Sequence, residues 1–112
     1  MAKNPEHRDL FPGALEIMIL QSLRLKPMHG YALVKHIKQV SDDLLQVEEG
    51  SLYPALQRIL MKGWVTAEWA QNGGKRRQRI YSLTAEGRKR LTAEVTRYRR
   101  VSRAIERVIQ PA

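Results

Sequence analysis

A chain of 112 residues makes one domain with a modest core, and an element too long for that core must be covered by a second chain. There is no cysteine, no basic-then-apolar leader, and no apolar run of the ~18 residues a membrane helix needs, because Glu16 interrupts the best candidate; a cytosolic protein without disulfides or membrane contact is expected. The formal charge is +9, and it is unevenly placed: up to Gln71 there are eight residues of each sign, but from Asn72 onward twelve basic residues face three acidic ones, which points to a polyanionic partner.

Residues 1–9 are polar, include Pro5 and are expected to form a flexible arm, after which Pro12-Gly13 opens the first helix. From Ala14 to Leu25 the apolar residues Leu15, Ile17, Met18, Ile19, Leu20, Leu23 and Leu25 wrap most of the way round, which predicts a helix buried on more than one side. Lys26-Pro27 ends it, since the residue before a proline is pushed out of helical geometry. A second helix, His29 to Val40, turns Leu33, Val34, Ile37 and Val40 inward and Lys35, His36, Lys38 and Gln39 outward. Lys35 and Lys38 stand one turn apart, where they can meet phosphates, and the Tyr31 hydroxyl can do the same; a core tyrosine beside two solvated lysines is the alternative. Ser41-Asp42-Asp43 closes this helix, and Leu44 to Val47 reads as a turn or brief strand.

The stretch Val47 to Gly63 organises the rest. Leu52, Leu56, Ile59 and Leu60 make an apolar stripe, while Gly50, Ser51, Pro54, Gln57, Arg58 and Met61 fall on the other side. Pro54 lacks an N–H and suits the first turn of a helix, which places the start near Gly50 or Ser51, and Gly63 is positioned as the stop. Small residues, a hydroxyl, an amide and a guanidinium on the exposed face fit a nucleic-acid groove better than catalysis, and two helices joined in this way predict a helix-turn-helix.

Trp64 to Ala70 alternates like a strand, Gln71 to Arg79 is a glycine-containing turn with four basic residues (Lys75, Arg76, Arg77, Arg79), and Ile80 to Leu83 is the return strand. A cationic hairpin directly behind a helix-turn-helix describes a wing that neutralises phosphates. Thr84 then caps a helix with Glu86 in its first turn, running without a proline to Pro111, a rod of roughly 40 Å. Leu91, Val95, Tyr98, Val101, Ile105 and Val108 recur at steps of three or four along it, a narrow seam that predicts packing on the same helix of a second copy and on that copy's first helix. The seam carries one tyrosine and no other large aromatic, which argues against a membrane-surface helix.

Catalytic and metal constellations are lacking. His7, His29 and His36 have no partners at ligand spacing and are expected as surface or capping residues, and Gly73-Gly74-Lys75 is followed by Arg76 instead of the Ser or Thr of a phosphate loop. No enzyme, cofactor or metal is expected.

Gly50-Ser51-Leu52-Tyr53-Pro54-Ala55-Leu56, preceded by His29-Gly30-Tyr31 and followed by Gly63-Trp64-Val65 and Tyr81-Ser82-Leu83-Thr84-Ala85-Glu86-Gly87, resembles the PadR family of bacterial transcriptional regulators from about Leu15 to about Leu91. The single terminal helix is similar to the short subfamily. The resemblance implies a dimeric winged-helix repressor, and it implies that relatives sense small aromatic or drug-like compounds through the dimerisation region. Both tryptophans here, Trp64 and Trp69, lie in the hairpin, so no aromatic pair on the terminal helix marks an effector pocket.

The sequence therefore predicts a mainly α fold with a small β-hairpin: a winged helix-turn-helix domain over residues 10–84 and a dimerisation helix over 85–110. Duplex DNA and a second copy are the expected partners, with a small-molecule effector as a further possibility. Expected DNA contacts are Tyr31, Lys35, Lys38, Ser51, Tyr53, Pro54, Gln57, Arg58, Lys62, Lys75, Arg76, Arg77 and Arg79, with Gln57 and Arg58 at base edges. The alternative is a basic protein that coats nucleoid DNA or RNA without reading sequence; against it, the charge is concentrated and the strands lack a row of stacking aromatics.

Overall fold

The computed structural model describes residues 13–72 and 76–111, and for residues 71, 72 and 76 the backbone only. Seven elements follow in order: α1 (Ala14–Leu25), β1 (Met28–His29), α2 (Gly30–Val40), α3 (Glu49–Met61), β2 (Val65–Asn72), β3 (Arg76–Leu83) and α4 (Ala85–Ile109). The predicted arm lies outside the described residues. No helix among the described residues is long and apolar enough to cross a membrane.

Helix α1 is the centre of the domain. Ile19, Leu20 and Leu23 are buried, and the helix touches α2, α3, β3 and α4. Its one buried polar side chain, Ser22, donates to the Met18 carbonyl at 2.7 Å, so burial leaves it satisfied. Leu33 of α2, Leu52, Leu56 and Ile59 of α3, Val65 of β2 and Leu91 of α4 close the same core.

Three boundaries differ from the sequence reading. First, Met28–His29 is a short strand, pairing antiparallel with β3 (Met28 opposite Tyr81, His29 opposite Ile80) to give a sheet in the order β1-β3-β2. His29 is also the N-cap of α2, its Nδ1 accepting from the Ala32 amide at 3.2 Å. Second, α3 begins at Glu49, so Pro54 stands in the second turn. Its missing N–H leaves the Gly50 carbonyl without that intrahelical donor; both residues are exposed, so water can take the place of the lost bond. Third, the strands are longer and the turn shorter than predicted. Asn72 pairs with Arg76, so Arg76, Arg77 and Arg79 belong to β3 itself. Basic residues cost a strand little when its outer face is wet.

Helix α2 ends through Asp42 (φ 57°) and Asp43 (φ 65°), left-handed conformations that aspartate tolerates better than most residues; the Asp43 amide returns to the Lys38 carbonyl at 2.8 Å. Residues 44–48 follow without regular structure. Gly63, at φ 79°, stops α3, with the Trp64 amide bonded to the Ile59 carbonyl at 3.0 Å. Thr84 then gathers the chain: its Oγ1 accepts from the Gly87 amide at 2.9 Å as the cap of α4, and its hydroxyl is shared between the Gly63 (2.8 Å) and Trp64 (3.0 Å) carbonyls. Gly87 is buried against the Trp64 carbonyl, with no room for a side chain.

Leu91 is the correction on the terminal helix. Predicted on the seam for a second copy, it is 2% exposed within the single chain, because α4 packs on α1 before it leaves the domain.

Two glycines in helices should respond oppositely to alanine. A Cβ at Gly87 collides with the Trp64 carbonyl and the Leu83 side chain, and Gly87→Ala is expected to cost about 1–3 kcal/mol, read from a urea unfolding midpoint. Gly50 has nothing within 4 Å, and Gly50→Ala is expected to raise stability by up to about 1 kcal/mol.

Candidate nucleic-acid interface

Leu52, Ala55, Leu56 and Ile59 hold α3 to the core, which fixes the face it turns outward. Gly50, Ser51, Pro54, Gln57 and Met61 are exposed there, with Met61 76% accessible. Tyr53 lies at the flank nearer α2. Its ring covers Gly30 so closely that a Cβ at Gly30 would stand 2.7 Å from the phenol oxygen. A glycine at the start of α2 is what lets the two helices bring Tyr53 into this position.

Beside this face is a concave surface of about 550 Å³, lined by Tyr31 of α2, Glu49 and Tyr53 of α3, and Trp69, Arg77 and Arg79 of the hairpin. Tyr31 is 65% exposed, which excludes the core alternative. The His29 ring lies parallel to it at 6.5 Å between centroids, and the Lys35 ammonium sits 5.4 Å from its centre. Lys38 is exposed further along α2, bordering a shallow depression with Asp42 and Asp43.

Two expected contacts are engaged elsewhere. Arg58, expected at a base edge, donates from Nε to the Glu16 carboxylate of α1 at 2.6 Å. Its position on α3 is at the edge of the outward face nearest α1, so the acid reaches it first. Lys62 lies over the Trp64 ring at 4.6 Å, which it shares with Arg90 of α4 at 5.3 Å, away from the concave surface. The structure thus brings together Tyr31, Tyr53, Arg77 and Arg79, with Ser51, Pro54 and Gln57 on the adjoining face. Lys75 lies outside the described residues, as does the side chain of Arg76.

Trp69 and Tyr81 belong to this surface and were missed by sequence reasoning. The available signal was register: Trp69 pairs with Arg79, so an indole and a guanidinium meet across the strands. Arg77 and Arg79 lie 4.7 and 5.7 Å from the Trp69 ring centre, and Arg79 is also 6.0 Å from that of Tyr81. Burial raises the Tyr81 phenol above its ordinary pKa; the Arg79 charge and hydrogen bond pull it partway back, and Tyr53 adds to the rise.

Comparison with known proteins places this architecture. The sequence profile of the Transcriptional regulator PadR-like family matches residues 19–93, more than half of the chain. The chain belongs to the PadR family. Its members are transcriptional regulators and not enzymes. The fold is similar to that of a transcriptional regulator from Clostridium thermocellum (TM-score 0.83, 23% identity, 96% of this chain and 100% of that one). A PadR family transcriptional regulator from Eggerthella lenta is similar at TM-score 0.77 and 28% identity, covering 96% of this chain and 92% of that one. Bacillus subtilis PadR, solved in complex with operator DNA, superposes at TM-score 0.66 with 25% identity over 72% of this chain and 46% of that one. This PadR-family chain spans about half of the Bacillus subtilis protein's length and is 23% identical to it over 92 residues. The described architecture, four helices with a small three-stranded antiparallel sheet, is the winged helix of these regulators.

The raised pKa of Tyr81 predicts an alkaline limit. The folded state holds the neutral phenol, so its contribution is complete below the unfolded value of about 10 and is lost as pH rises through the higher folded value. In a spectrophotometric titration the Tyr81 phenol should ionise above the ordinary tyrosine value, with thermal stability falling over the same range. Tyr81→Phe should remove that late phenol.

Proposed function

We propose that this PadR regulator is a dimeric repressor that reads a two-fold related operator and acts by occupying a promoter. The observation that carries the reading is the outward face of α3, anchored by a fully buried stripe and left uncovered beside a cleft with two arginines and three tyrosines. An anchored helix with a small, polar outer face fits the major groove, and the cleft and hairpin fit the flanking backbone. The Bacillus subtilis relative is a negative transcriptional regulator solved on operator DNA, which supports both the partner and the sign of regulation.

In this reading Ser51 and Tyr53 hold α3 to the backbone, Pro54 permits close approach, and Gln57 reads a base edge. Arg58, already paired with Glu16, braces the helix. Tyr31, Lys35 and Lys38 meet phosphates from α2, and Lys75, Arg76, Arg77 and Arg79 meet them from the wing. Lys62 serves as a peripheral charge.

The dimer rests on α4. Beyond Leu91 the helix leaves the core: Val95, Val101 and Ile105 are partly covered, Tyr98 is 40% exposed and Val108 84% exposed. The seam adjoins an apolar groove of about 340 Å³ between α1, α2 and α4, lined in part by Ile17, Met18, Ile37 and Val40. A second copy's terminal helix covers seam and groove together. Val40, predicted to face inward, is 71% exposed at this groove, which suits that arrangement. A small aromatic effector would act by changing this packing.

The test is fluorescence anisotropy against DNA from upstream of the protein's own gene and a shuffled control, at physiological salt. Binding tighter on the upstream DNA by about 10³-fold or more is expected; equal binding to both would favour the coating alternative for this DNA. Gln57→Ala should cost roughly 1–3 kcal/mol on the operator and relax specificity at one base pair, whereas equal losses on both DNAs would sink its base-reading role. Lys75→Gln should weaken all sequences alike and lower the salt slope by about 1.

A further inference from the structure

The exposed tryptophan of the hairpin has no part in the reading above. Trp69 is 58% exposed, so it adds little to the core, yet its face is occupied by two guanidinium groups from the opposite strand. The register explains this: Arg79 is its direct partner, and Arg77, opposite Gln71, is its diagonal neighbour on the same face. Neither arginine is paired with a carboxylate among the described residues, whose ion pairs run through Glu16 and Glu94. Glu49, across the cleft, makes no ion pair with them. The Nε of Arg79 is buried without a hydrogen-bond partner, so what orders this side chain is the aromatic faces of Trp69 and Tyr81 together with the hydrogen bond to the Tyr81 phenol.

A free arginine loses considerable rotamer freedom when it binds a phosphate, which subtracts from affinity. Stacking on a ring before binding removes most of that loss, and it leaves two uncompensated positive charges side by side on the cleft wall. From these contacts we infer that Trp69 is a positioning residue, which holds Arg77 and Arg79 as a preorganised pair for the phosphodiester backbone of duplex DNA in the cleft between the hairpin and the first turns of α3. The inference rests on the DNA reading proposed above. Trp69 itself makes no required contact with DNA; it acts through the two arginines.

The experiment combines four variants of the full chain with two readouts. Trp69→Ala and Trp69→Leu remove the aromatic face, the latter keeping apolar bulk, while Trp69→Phe restores a ring; the fourth is Arg77→Gln/Arg79→Gln. In anisotropy titrations, Ala and Leu should each weaken operator and shuffled DNA alike by about five- to thirty-fold, the effect of two cation–π contacts, and Phe should recover most of the loss. Adding Trp69→Leu to the double arginine variant should produce no further loss, because the tryptophan works only through those side chains. The second readout needs no DNA. Heteronuclear NOEs of the Arg77 and Arg79 Nε–H groups should report rigid side chains in the wild type and Trp69→Phe, and mobile ones in Trp69→Leu.

Wild-type binding with unchanged affinity in Trp69→Leu would overturn this inference alone. So would a Trp69→Leu loss that persists in full without the arginines, which would make Trp69 a direct DNA contact. A wild type that binds neither DNA would overturn the DNA reading and this inference with it. Rigid arginines in Trp69→Leu would remove the stacking argument whatever the affinities.

Discussion

The fold depends on one junction, where the end of α3, the base of the hairpin and the start of α4 are tied through a single threonine. The hydroxyl of Thr84 donates to the Gly63 and Trp64 carbonyls, 21 and 20 residues back in the chain, and accepts from the Gly87 amide as the local cap of α4, all three within 3.0 Å. Gly87 completes the junction by having no side chain, since the Trp64 carbonyl occupies the space a Cβ would need. With both ends of the hairpin fixed to the end of α3, the sheet cannot swing relative to the helix. The distance between α3 and β3, on which the concave surface depends, is therefore constrained from this part-buried corner. A rigid base of this kind is what a surface that must match a groove and a backbone together requires.

Charge and aromatic character are coupled across this PadR chain. Lys35 lies on Tyr31, Lys62 and Arg90 on Trp64, and Arg77 and Arg79 on Trp69. A chain with a net charge of +9 pays for its excess in self-repulsion, and aromatic faces stabilise cations without neutralising them. Acidic partners would hold the same side chains but cancel the field that attracts a polyanion. Acids are used where the charge is structural: Glu16 on Arg58, and Glu94 on Arg90 and Arg97. Arg90 takes part in both kinds of contact, and with Lys62 on Trp64 it lies away from the concave surface, whereas Lys35, Arg77 and Arg79 keep their charge beside it.

The limits of sequence reading are visible at particular residues. Periodicity located every helix because each buries a stripe of its own, and Gly63 and Thr84 marked a stop and a start through local backbone chemistry. Pro54 misled by one or two residues: the rule that proline belongs in the first turn presumes a carbonyl that water cannot reach, and here Gly50 is exposed. Met28–His29 was invisible because two residues carry no alternation, and their strand exists only through β3. Leu91 fitted the seam as well as its neighbours did, since a one-dimensional repeat does not record where α4 parts from α1.

The sequence by itself determined the winged-helix class, the order of elements, the concentration of charge near the hairpin and the outward face of α3, because these follow from periods, caps and composition within short windows. The tertiary structure decided which cations are free. Arg58 and Lys62 lie on the same helix as Gln57, but Glu16 and Trp64 reach them from elsewhere in the chain. It also decided that Trp69, Arg77 and Arg79 share one face and that Tyr31 and Tyr53 stand across from them. Those facts depend on strand register and helix packing, contacts between residues far apart in sequence that no local pattern encodes.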